Sequence, residues 1–239
     1  RYAGQQVAPP VGLYRDYIQW LGQQDMAASE AFWREQLAAL ETPTRLAHAL
    51  PTPSQQVAAQ TSHGDFYQTI DAALGERLGA FARQQKVTVN TLVQAAWLLL
   101  LQRCTGQDCV AFGATVAGRP AQLPGIEQQV GLFINTLPVV AGSRPDQRVA
   151  DWLQAVQEKN LALREFEHTP LASIQRWAGQ GGEALFDNIL VFENYPIAEA
   201  LRQGGTLGVR FGAVCNFDQT HYPLSVGVTL GETLALHCS

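Results

Sequence analysis

The sequence predicts an α/β fold in which a mixed sheet is flanked by helices. Strand-like apolar runs alternate with helix-period segments along much of the chain, the pattern of a layered α/β domain. One segment, Val89–Arg103, is apolar nearly all round, as a helix buried between layers is. The composition, 46% hydrophobic and 15% charged over 239 residues, is that of a chain able to bury a sizeable core.

The elements follow in order. Tyr14–Trp20 and Ser29–Leu40 read as helices, the second lining one face with Phe32, Trp33, Leu37 and Leu40. Pro43, Pro51 and Pro53 break the stretch from Thr42 to about Thr61 into a loop. Gly64–Ile70 reads as a strand, and Asp71 as the cap of a helix over Ala72–Gln85 with Leu74, Leu78 and Phe81 on one side. Asn90 is the expected cap of the apolar helix. Strands are predicted at Cys109–Val116, Leu132–Val140 and Phe186–Glu193, with helices at Val149–Glu165 and Leu171–Ala178 between the last two. Two more strands, Gly208–Asn216 and Leu224–Leu230, precede a turn at Gly231–Glu232 and a final segment, Thr233–Cys238. There is no internal repeat, and one domain is expected.

Composition also narrows function. A net charge of −5 without a basic run argues against nucleic-acid binding, which needs clustered Lys and Arg. The longest apolar stretch, near Leu92–Leu101, is interrupted by Gln94 and is short of the roughly 20 residues of a membrane span. The four cysteines, Cys104, Cys109, Cys215 and Cys238, form no CxxC pair and read as buried free thiols of a reduced, cytoplasmic protein. No Cys/His pair has zinc-ligand spacing, so no metal site is expected. A serine-hydrolase elbow G-x-S-x-G and a dinucleotide-binding G-x-G-x-x-G are both missing.

Seven segments then point one way. YRDYIQW at Tyr14–Trp20 is similar to the Y-x-D-Y-x-x-W stretch of peptide-synthetase condensation domains, and SEAFWREQLAAL resembles the helix that follows it there. Val89–Pro120 resembles the family's buried helix, strand and Gly-Arg-Pro turn; Ile126–Val139 contains GLFINTLP, the most specific match. FEHTPLASIQRWAG, LFDNILVFENYP and DQTHYPLSV complete the series in the family's order. The chain is thus identified as resembling nonribosomal peptide synthetase condensation domains over nearly its whole length.

That resemblance implies half of a two-lobed, chloramphenicol acetyltransferase-like architecture with a tunnel between the lobes. Residues 1–239 would be the C-terminal lobe, with 1–60 a helical and loop lead-in; the N-terminal catalytic lobe and the closing helices are expected to lie outside the chain. The family's H-H-x-x-x-D-G motif is not present: the five histidines, His48, His63, His168, His221 and His237, are never adjacent. The implied reaction forms an amide between a donor aminoacyl or peptidyl thioester and an acceptor aminoacyl thioester. Both ride on phosphopantetheine arms of peptidyl carrier proteins, and no cofactor is bound directly. This lobe is expected to be inactive alone, to self-associate through its uncovered face, and to pair with the missing lobe. The alternative is a non-catalytic docking platform for the acceptor carrier protein or an adjacent adenylation domain.

Site candidates follow from the same resemblance, with no catalytic residue among them. Strand alternation puts Asn135 on the face opposite Ile134 and Thr136, where its amide could reach the tunnel or instead satisfy local backbone. Thr136, His221 and Tyr222 are further tunnel candidates, Tyr222 having core packing as its alternative. Gly118 and Arg119 open a loop implied to run beneath the tunnel, where Arg119 could pair across the interface or stay solvated. Gly113 and Gly118 are expected to serve backbone needs. His168 reads as part of a structural corner, and Asp218 and Glu193 as carboxylates open to nearby cations.

Overall fold

The computed structural model describes residues 12–50, 64–179, 181–193, 220–231 and 233–239. Helix α1 (Tyr14–Leu21) starts where Asp16 Oδ2 accepts the Leu13 N–H at 2.9 Å. Helix α2 (Met26–Leu37) begins three residues before the expected Ser29, because Asp25 Oδ1 accepts the Ala27 and Ala28 N–H groups at 2.9 and 3.0 Å and serves as its cap. Trp33, Leu37 and Leu40 are buried as their spacing predicts, and Phe32 stacks on Phe166 at 4.0 Å. The expected loop after Thr42, whose later part with Pro51 and Pro53 lies outside the described residues, holds in its described part a helical turn, α3 (Leu46–Ala49). It forms there because the Asp187 carboxylate accepts the Leu46 and Ala47 N–H groups at 2.9 and 2.8 Å, a cap from far along the chain that local sequence cannot reveal.

Strand β1 (Phe66–Ile70) leads into α4 (Ala72–Gln84), whose Asp71 cap accepts the Leu74 N–H at 2.9 Å as the sequence indicates. Helix α5 (Val89–Thr105) departs from expectation twice. Its cap is Thr88, whose Oγ1 accepts the Thr91 N–H at 3.1 Å, and Asn90 already lies inside the first turn. Its burial is also one-sided: Leu98 and Leu101 are fully buried, whereas Leu99 and Leu100 are exposed. An all-apolar helix here has one face in the core and one face open.

The remaining strands are β2 (Val110–Val116), β3 (Asn135–Ala141), β4 (Asn188–Glu193), β5 (Leu224–Leu230) and β6 (Leu234–Cys238). The sheet runs β1-β6-β5-β4-β2-β3; β4 is parallel to both neighbours and every other pairing is antiparallel. It is the mixed sheet the alternating elements predict. Two strands start later than expected. β3 begins at Asn135, opposite Val116, and β4 at Asn188, since Phe186 is drawn into an isolated bridge with Thr44. The strand expected at Gly208–Asn216, with Cys215 and Asp218, lies outside the described residues.

Val110–Ala114 and Leu137–Ala141 are buried at consecutive positions, so β2 and β3 are covered on both faces. Helices α5, α6 (Val149–Glu165) and α7 (Leu171–Trp177) pack around them. Polar ties fix α6 in place: Trp152 Nε1 donates to the Gly142 carbonyl and Lys159 Nζ to the Val140 carbonyl, both at 3.0 Å. In β2, Gly113 is required for space, not for backbone freedom. A Cβ there would lie 2.6 Å from the Phe186 ring and 2.8 Å from Ile189. Removing Phe112, fully buried beside it, would cost roughly 3–5 kcal/mol as Phe→Ala. This packed centre is the rigid base from which β2 delivers the next loop.

Candidate active-site cleft

A cleft of 610 Å³ opens where β2 ends, between the start of α5, the second half of α6 and the loop beginning at Ala117. Its two walls differ in kind. The first, made by the start of α5 and by α6 around Gln157 and Asn160, carries neutral polar side chains. Gln157 Oε1 accepts the Thr88 N–H at 3.0 Å and the Thr91 hydroxyl at 2.7 Å; Thr88 and Thr91 hydroxyls lie 2.9 Å apart. One turn on, Asn160 Nδ2 donates to Gln94 Oε1 at 2.7 Å. Thr91 and Gln94 are buried, yet both line the cleft. These contacts place side chains three or four residues apart on facing helix surfaces, the spacing at which such neighbours meet.

The second wall is charged and made from a loop and a corner. Gly118 adopts φ +58°, and a Cβ there would collide with the Phe133 carbonyl oxygen, so only glycine fits. Arg119, expected either to pair across an interface or to stay solvated, does neither among the described residues. Its guanidinium donates to the carbonyls of Ile126 and Gln129, the latter at 3.1 Å, and lies 4.3 Å above the Phe133 ring. Phe133 in turn meets Tyr14 and Tyr17 edge-on at 5.3 and 4.9 Å, and the Tyr14 hydroxyl donates to the Leu132 carbonyl at 2.8 Å. The tyrosines of YRDYIQW thus hold the loop that follows β2.

Asn135 does not line the cleft. Its Nδ2 donates to the carbonyls of Glu167 and Thr169, each at 2.8 Å, and its Oδ1 accepts the Thr136 N–H at 2.9 Å. The amide is consumed by backbone, its oxygen locally at Thr136 and its nitrogen in the FEHTP corner. Thr136 sits next to it on β3, opposite Thr115, away from the lining. His221 and Tyr222 also lie elsewhere: their rings meet at 4.2 Å and Tyr222 stacks on Phe186 at 5.8 Å, the core-packing alternative. Glu193 ends β4, likewise outside the cleft.

The corner that Asn135 pins carries Glu167 and His168 into the cleft wall. Burial pushes the Glu167 carboxyl above the ordinary carboxylate range, against the opposing pull of the Arg164 guanidinium and the Gly118 N–H. Burial pushes His168 below the ordinary imidazole range, against a Glu165 backbone contact that favours the charged form. His168 Nε2 is 3.3 Å from Ser29 Oγ, and its ring stands edge-on to Trp20 at 5.7 Å. Sequence reasoning missed Thr88, Thr91, Gln94, Gln157, Asn160 and Glu167. A usable signal existed for one of them: Gln94 is a polar residue inside an otherwise apolar run. Among the described residues no helix is long and apolar enough to cross a membrane.

Comparison with known proteins fits this arrangement. A family model described as "Condensation domain" matches residues 2–239. The chain is 42% identical over 229 residues to a linear gramicidin synthase of Brevibacillus parabrevis, covering 95% of this chain and 4% of that protein. It is 40% identical over 222 residues to chondramide synthase cmdD of Chondromyces crocatus, covering 92% and 6%. In structure it resembles the condensation domain from the Monacolin K polyketide synthase MokA (TM-score 0.77, 18% identity, 99% of this chain and 57% of that one). The X-domain from teicoplanin biosynthesis is a second match (TM-score 0.71, 20% identity, 99% and 56%). The chain therefore spans a small part of these large synthetases and about half of each solved domain. With its ordered motifs, its mixed sheet and the family model in agreement, this chain belongs to the condensation-domain family found in nonribosomal peptide synthetases.

Proposed function

We propose that this chain forms one wall of an amide-forming site acting on two thioesters carried on phosphopantetheine arms, and that it is inactive without a partner lobe bearing an H-H-x-x-x-D-G motif. In the reaction the acceptor amine attacks the donor thioester carbonyl. A C–N bond forms as the C–S bond breaks, and the proton lost by the amine ends on the departing thiol. Such a step gains most from holding the two ends in line and from donors near the developing oxyanion. The observation that carries the reading is the cleft at the end of β2, with its amide- and hydroxyl-lined wall. A pantetheine arm is a narrow chain with two amide groups, and neutral hydrogen-bonding side chains match it without a charge to desolvate. Carrier proteins are the implied partners, and the arm is theirs, not a cofactor of this chain.

To test it, the chain is mixed with donor- and acceptor-loaded carrier proteins, with and without a separately produced lobe carrying the paired histidines. No dipeptide alone and dipeptide with the added lobe is the expected result. Product from the chain alone refutes the inactivity; none from the reconstituted pair refutes the amide-forming role.

A second reading, a docking platform, is favoured by one observation. Val130, Leu132 and Ile134 are 95%, 73% and 59% exposed on the segment entering β3, an apolar run that a soluble surface seldom leaves uncovered. It fits burial against another lobe, domain or copy. Light scattering of the chain at high concentration should show association that Leu132→Ser with Val130→Ser reduces; a monodisperse wild type counts against it.

A further inference from the structure

Glu167 stands out among the groups of the cleft because, among the described residues, no side chain forms a close ion pair with it. Its side chain lines the cleft and is half-buried, but among the described residues no Lys, Arg or His nitrogen lies within 4.0 Å of its carboxylate. The cations nearby are otherwise engaged or exposed. Arg119 spends its guanidinium on two loop carbonyls and the Phe133 ring; Arg164, on the same cleft lining, favours the ionised carboxylate from a distance but is solvent-exposed, which screens it. Burial pushes His168, the next residue, toward its neutral form. A half-buried carboxylate without a close ion-pair partner is a cost to the fold, tolerated most readily where a ligand supplies one.

Its position is also fixed. The Glu167 carbonyl accepts a hydrogen bond from Asn135 at 2.8 Å, so the peptide carrying the side chain cannot drift, and the Gly118 N–H faces the carboxylate from the opposite loop. Across the cleft stand the neutral oxygens and amides of Thr88, Thr91, Gln94 and Asn160. One carboxylate with neutral partners suits a monovalent ammonium. It does not suit a divalent metal: among the described residues no three His, Cys, Asp or Glu side chains converge.

We propose that Glu167 is a substrate-positioning residue that receives the ammonium group of the aminoacyl acceptor, which distinguishes a free amine from an acylated one. The inference rests on the reading of this cleft as part of an amide-forming site. It assigns to this lobe a recognition task separate from any paired-histidine motif. The carboxylate binds and orients the charged amine; nothing in the assignment requires it to take the proton during attack.

The test uses the 239-residue chain and two stable probes, glycyl-pantetheine with an amide in place of the thioester and its N-acetylated counterpart, titrated at pH 7 by calorimetry. A charge-assisted hydrogen bond to carboxylate predicts tighter binding of the free amine by about 10-fold. Glu167→Gln keeps the shape and an acceptor for the Gly118 N–H; it should abolish the preference while leaving the acetylated probe unchanged. Glu167→Asp should restore part of it, guarding against a misfolded Gln variant. Equal binding of both probes by the wild type, or a preference that survives Glu167→Gln, overturns the assignment but leaves the cleft reading intact. Binding of neither probe overturns both.

Discussion

The two walls of the cleft are stabilised in opposite ways. On the α5–α6 wall the ties run among groups of two adjacent helices that satisfy one another: Gln157 accepts the Thr88 N–H and the Thr91 hydroxyl, and Asn160 donates to Gln94. On the other wall the charged side chains do not pair with each other. They are positioned through backbone, by Asn135 gripping two corner carbonyls and Arg119 gripping two loop carbonyls. The first wall is a closed network and the second a rigid frame holding uncommitted charge. The lesson is that preorganised reactivity is built by spending polar side chains on peptide groups, so that the groups facing a ligand are left unspent.

The sharpest way to break this contrast is Asn135→Ala. It strands the Glu167 and Thr169 carbonyls and the Thr136 N–H, at about 2–3 kcal/mol, and should lower the urea midpoint strongly. Because the corner carries Glu167, amine-probe binding should fall with it. Loss of stability without any change in probe binding would show that the corner is not held for the cleft.

Next in size, Gln157→Ala should cost about 1–2 kcal/mol, since its oxygen is the shared acceptor of two donors. A double-mutant cycle with Thr91→Ala should show coupling of roughly 0.5–1 kcal/mol, as expected inside one network. Additive effects would mean that the neutral wall is a set of independent contacts.

The smallest effect carries the most information. Glu167 binds its proton more readily in the folded protein than in the unfolded chain, because burial disfavours its charge. Its contribution is therefore favourable below the ordinary carboxylate range and is lost as pH rises through the raised folded-state value. At pH 7 the ionised group is a net cost, screened by partial exposure. Glu167→Gln should stabilise by at most about 1 kcal/mol there, and by nothing below roughly pH 4. Denaturant titrations at the two pH values check the sign; a destabilised variant at pH 7 would mean that the frame already compensates the charge.

Legibility followed the range of the interactions. Helices α4 and α5 and strands β2 and β5 are written in local periodicity, and Asp71 caps α4 as its position indicates. The α3 turn is not, because its cap, Asp187, acts from a distant segment. The loop from Gly118 was legible through its motif, but Arg119's targets were not, since carbonyl oxygens leave no trace in residue type. For Asn135 the motif marks the residue, while only the packing shows that its amide faces the corner and not the cleft. Gln94 was visible as a break in an apolar run, but its partner Asn160 belongs to another helix.

The sheet's outermost pairing has a consequence for how the molecule is made. Among the described residues β1 pairs only with β6, Phe66 opposite Cys238 and Ile70 opposite Leu234, so this strand waits for one made much later. About 160 residues must leave the ribosome between them, roughly 8–30 s at ordinary elongation rates. For that interval Phe66 and Tyr67, still largely exposed in the finished fold, sit on an unpaired nascent edge. Synthesis speed and chaperone supply, more than final stability, should then govern how much of the chain reaches the sheet instead of the aggregate.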